Sequence, residues 1–106
     1  MDTKTLIKSL HHIFCETNKT EKKYSEVWLA EVDFGGLYEN DMFTLVVKAE
    51  HRIANCAAEI KSIVNILNDK APEELKMIWN VRVLNADNRI HCESSQLKVY
   101  DTEIAC

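Results

Sequence analysis

Residues 50–68 read EHRIANCAAEIKSIVNILN, and the spacing of their apolar side chains decides the architecture. Ile53, Cys56, Ala57, Ile60, Ile63, Val64 and Leu67 recur at helical intervals and form one stripe. His51, Asn55, Ser62 and Asn65 fall on the opposite side. The stretch predicts an amphipathic helix with one face packed on a sheet. Asn68-Asp69 ends it, and Pro72 opens a short helical turn through Leu75.

The sequence on either side alternates. Residues 24–34 place Trp28, Ala30, Val32 and Phe34 on one side, with Val27, Leu29, Glu31 and Asp33 on the other. Residues 42–49 place Phe43, Leu45, Val47 and Ala49 together. Gly35-Gly36 and Glu39-Asn40-Asp41 lie between these strands, so the pair is expected to form an antiparallel hairpin. Residues 77–84 predict a third strand, in which Met77, Trp79, Val81 and Val83 oppose Ile78, Asn80, Arg82 and Leu84. The turn Asn85-Ala86-Asp87-Asn88 leads to a fourth strand over 89–100, with a bulge expected at Ser94-Ser95-Gln96. At the start, Leu6, Ile7, Leu10, Ile13 and Phe14 mark a first helix over 3–17, capped by Asp2 or Thr3. The segment 16–23 has no apolar residue and reads as a solvated connection.

The expectation is a single α+β domain over residues 1–106, in the order α-β-β-α-β-β. Its sheet would be four-stranded and largely antiparallel, with two helices on one face and residues 101–106 frayed. With 106 residues, 46% of them hydrophobic and 28% charged, the chain suffices for one core. Two glycines and one proline leave no flexible linker.

Composition narrows function. The N-terminus lacks an apolar core of signal-peptide length, and no apolar run approaches a membrane span, so the chain is expected in the cytoplasm. Four widely spaced cysteines are expected as reduced thiols. Thirteen basic residues against 17 acidic ones give a net charge of −4, which disfavours nucleic acid and favours a cationic protein partner.

Four clusters were weighed for chemistry. His11 and Cys15 lie one helical turn apart and, joined by His91 and Cys92, would supply the nitrogen and sulfur ligands of a metal or thiol site. No paired ligand motif supports that reading, and no metal or cofactor is expected. Glu31, Asp33, Glu39 and Asp41 form an acidic group that serves equally as acid–base pair or solvated rim. Lys19, Lys22 and Lys23 beside Tyr24, with Arg82, offer a weak nucleic-acid surface. Catalytic sequence motifs are absent, so no enzyme is expected.

The fourth cluster leads. If Trp28, Val32, Phe43, Leu45, Val47, Trp79, Val81 and Val83 face the helices, Val27, Leu29, Met42, Val46, Ile78 and Leu84 remain on the other side. That side is too apolar for an uncovered sheet face, so it either marks an interaction surface, or lies beneath one of the helices, or the register differs from this assignment. Its partner-binding residues would be Val27, Leu29, Met42, Val46, Ile78 and Arg82, with the acidic Glu31, Asp33, Glu39 and Asp41 around them. The expected function is a non-catalytic intracellular protein-binding domain, such as an inhibitor or immunity-type protein that neutralises a cationic partner, or a homodimer joined through this face.

Overall fold

In the computed structural model, which describes residues 2–32 and 42–102, the helix–strand order read from the sequence is present. Helix α1 runs Thr3–Thr20, strands β1 and β2 run Tyr24–Val32 and Met42–Ala49, and helix α2 runs Cys56–Lys70. A single turn α3 (Pro72–Leu75), strand β3 (Ile78–Leu84) and strand β4 (Leu97–Asp101) complete a small single α+β domain.

Side chains from loops and caps set the helix limits. The Asp2 carboxylate accepts from the Thr5 amide at 2.8 Å and caps α1. This helix outruns its apolar stripe and continues to Thr20. Asn18 stops the polar extension, accepting from the Lys23 and Tyr24 amides and donating to the Tyr24 carbonyl. Helix α2 begins later than its stripe suggests. Asn55 caps it through the Ala58 amide, while Ile53 is held in the loop by two hydrogen bonds to the Asn85 side chain.

The sheet order is β3-β2-β1-β4. Strands β1 and β2 pair antiparallel, as the hairpin reading requires. Strands β2 and β3 pair parallel, which corrects the largely antiparallel expectation. The α2–α3 passage is the crossover that a parallel neighbour needs. The second expected hairpin does not form. Strand β4 is short and pairs antiparallel with β1 on the far edge. Residues 85–96, read above mostly as strand, are a coil that travels from one sheet edge to the other.

Both helices cover one face. Leu6 and Leu10 of α1, and Ile63 and Leu67 of α2, share a core with Val27, Leu29, Leu45, Val47 and Val99. Tyr24 links the layers: its hydroxyl donates to Glu59 on α2 at 2.6 Å. Burial, and then that hydrogen bond to a carboxylate, push the phenol well above its ordinary pKa. The face assignment of β1 is therefore the reverse of the expectation. Val27 and Leu29 face the helices at 0% and 1% exposure, and Trp28 lies on the opposite side.

Candidate functional site: the coil-covered face

Among the described residues, the second face of the sheet is covered by the coil 85–96. Its structure falls into three zones along the strands. At one end stands Glu26, on the same side as Lys48, its neighbour across the strand pair. Lys98 donates to one Glu26 oxygen. His91, from the coil, meets the other at 3.1 Å, and Lys48 lies 3.9 Å from it. Lys98 also pairs with Asp101 at 3.2 Å. Burial pushes the Glu26 carboxyl up, but hydrogen bonds from Lys98 and His91 outweigh it and hold the group below its usual range. Burial likewise lowers Lys98, but bonding to Glu26 and Asp101 prevails and raises it.

In the middle, Trp28, Val46 and Leu84 form a second small core, with Cys92 of the coil packed against it. Burial raises the Cys92 thiol above its ordinary value, the reverse of an activated nucleophile.

At the other end the coil stands off the sheet. A recess of about 310 Å³ opens there, lined by Trp28, Ala30, Thr44, Val46, Asn80, Arg82, Leu84, Ile90 and Gln96. Trp28 is 1% exposed, and its indole N–H is buried with no hydrogen-bond partner among the described residues. The Thr44 hydroxyl donates to the Asn80 amide oxygen at 2.6 Å.

The anticipated partner-binding residues scatter. Val46 and Arg82 line the recess. Val27, Leu29 and Ile78 belong to the core beneath the helices and present nothing to a partner. Met42 is half-buried and Glu31 is exposed. Asp33, Glu39 and Asp41 lie outside the described residues. Trp28 and Asn80, which are not among the anticipated residues, also line the recess.

The histidine–cysteine constellation is split by the sheet. His11 bonds the Val99 carbonyl at 2.9 Å, and Cys15 sits 3.3 Å from its other ring nitrogen, on the helix side. His91 and Cys92 lie on the coil side. Cys15 is disulfide-bonded, which corrects the expectation of four reduced thiols, while Cys56 and Cys92 are free. No group of three or more metal-ligating side chains occurs among the described residues.

The lysine cluster gains unforeseen neighbours. Lys22 and Lys23 line a recess of about 180 Å³ together with His51 and Arg52, but Glu21 and Glu59 line it too. Among the described residues, no helix is long and apolar enough to cross a membrane.

No protein family, no characterised protein and no solved structure matches this chain. The reading of its function therefore rests on the geometry alone.

Proposed function

We propose that this chain is a non-catalytic binding domain that engages a protein partner through the coil-covered face of its sheet. One observation carries the reading: among the described residues that face is covered by a coil instead of a helix, and a recess stays open between them. Ile90, 55% exposed on the coil, and the exposed Arg82 flank the opening. An apolar opening with a polar rim is the usual form of a recognition surface. The net charge of −4 adds long-range attraction for a cationic partner, as in an inhibitor that neutralises a basic protein. A second copy of the chain across the same face is the simpler variant.

The test uses Ile90→Asp, a change at a coil position that is 55% exposed. Light scattering of the purified protein and a pull-down from the source cell are compared for both forms. The expected result is a dimer, or a retained partner, that the substitution abolishes. A concentration-independent monomer with the same recovered proteins in both forms would sink the reading.

A second reading has one observation in its favour: Lys22, Lys23, His51 and Arg52 converge on one recess. Such a cluster suits a phosphate-bearing polymer. Glu21 and Glu59 in the same wall oppose it. Flat titrations with single- and double-stranded oligonucleotides at low salt would remove it.

A further inference from the structure

We infer that the recess beneath the coil is a binding site for a small organic carboxylate, a molecule with an apolar body and one anionic end. This goes beyond a protein contact and is tested separately from it.

The walls define the apolar body. Trp28, Val46, Leu84 and Ile90 enclose the space from strand and coil sides. Its volume of about 310 Å³ is at the lower end of the range that small-molecule sites occupy, roughly 300–1,000 Å³.

The polar groups define the anionic end. The overall chain is acidic, yet among the described residues lining the recess there is no carboxylate, and the single charge is Arg82. Arg82 has no ion-pair partner among the described residues. Asn80 spends its oxygen on Thr44, which leaves the amide NH₂ as a donor. Trp28 adds the buried N–H that nothing in the described protein satisfies. An unpaired buried donor costs about 1–3 kcal/mol, and an acceptor brought by a ligand removes that cost. Three donor-bearing residues, Trp28, Asn80 and Arg82, line a recess whose described walls carry no acid, and guanidinium recognises carboxylate through paired hydrogen bonds. A phosphate suits the site less well, because Trp28, Ala30, Val46, Leu84 and Ile90 cannot replace the hydration of a doubly charged group.

Phenylpropionate is a suitable probe, with its amide as the uncharged control and inorganic phosphate as the third arm. The readout is the indole N–H resonance of Trp28 by NMR, with Trp79→Phe used to assign the two tryptophan signals. Phenylpropionate is expected to shift the Trp28 signal saturably, while the amide and phosphate leave it near its starting position. Arg82→Gln, at an exposed position, is expected to weaken the acid about tenfold or more. No saturable response to the acid would overturn the site. Equal responses to acid and amide, or a response to phosphate of similar strength, would overturn its carboxylate chemistry without any variant. Loss of protein–protein association under Ile90→Asp bears on the partner reading, whereas this titration uses the purified domain alone. Failure of one therefore does not imply failure of the other.

Discussion

The helix-covered and coil-covered faces of this sheet are made by the same strands and closed by different means. On the first, Val27, Leu29, Leu45 and Val47 meet two helices in a continuous apolar layer. On the second, Trp28, Val46 and Leu84 form a smaller cluster against which Cys92 packs, beside the ion network around Glu26 and an open recess. A helix offers a broad apolar stripe and satisfies its own backbone. A coil offers isolated side chains and must be fastened by polar contacts. The larger apolar core thus lies on one side, and the other relies more on polar fastenings.

Truncations should expose that asymmetry most strongly. Leu45→Ala removes a fully buried side chain in the helix-side core and should cost about 2–5 kcal/mol. Leu84→Ala, under the coil, should cost about half as much, because the coil can settle into the space. Urea denaturation measures both. Equal losses would mean that the coil packs as firmly as a helix, and the comparison would fail.

The polar fastenings of the two sides should also differ in kind. Asn18 ties α1 to β1 with neutral hydrogen bonds, and it donates to the Tyr100 hydroxyl of β4 at 2.7 Å. Asn18→Ala should cost about 1–3 kcal/mol, with little dependence on salt. Glu26→Gln on the coil side should cost about 1–2 kcal/mol, and the loss should shrink as salt is added. Acid should act like the substitution. Folded Glu26 titrates below its unfolded value, so its contribution is present above about pH 4.3 and fades as pH falls through the depressed folded pKa. Lys98 is raised, so its contribution is present below about pH 10.4 and is lost as pH climbs through the folded pKa. Denaturation midpoints of wild type and Glu26→Gln across pH would converge at the acid end. Parallel curves throughout would remove Glu26 as the fastening.

Local periodicity made the order of elements, the first hairpin and the Pro72 turn legible in the sequence. It could not reveal which strand lies beside which. Nothing near residues 97–101 announces pairing with β1 across the sheet, and the parallel β2–β3 neighbours follow from the crossover, not from either strand's pattern. Alternation says which residues of β1 share a side, not which side meets the helices. Both sets carry an acid, Glu26 on one and Glu31 on the other, and both carry large apolar residues. Arg82 and Val46 lie on the coil-covered face, where the alternation of β3 and β2 puts them, but the expected apolar imbalance does not hold, because Val27, Leu29 and Ile78 belong to the helix-side core. Trp28 was misplaced because its side depends on that long-range choice, whereas Asn80 falls beside Arg82, on the side of β3 where alternation puts it.

Trp28→Phe should have the smallest effect and discriminate most finely. On the helix side, shrinking a buried aromatic leaves a void that packed neighbours cannot fill, and stability falls. On the coil side the same change removes two opposing contributions. Apolar contact with Val46 and Leu84 is reduced, which destabilises. The buried indole N–H, which lacks a partner among the described residues, disappears with its cost of about 1–3 kcal/mol, which stabilises. The two are similar in size, so the net change should stay within about 1 kcal/mol. The variant should also lose the ligand's hydrogen bond and bind phenylpropionate more weakly while folding as before. A loss of several kcal/mol would mean that the indole N–H is satisfied in solution, and that Trp28 is there to hold the coil and not to receive an acceptor.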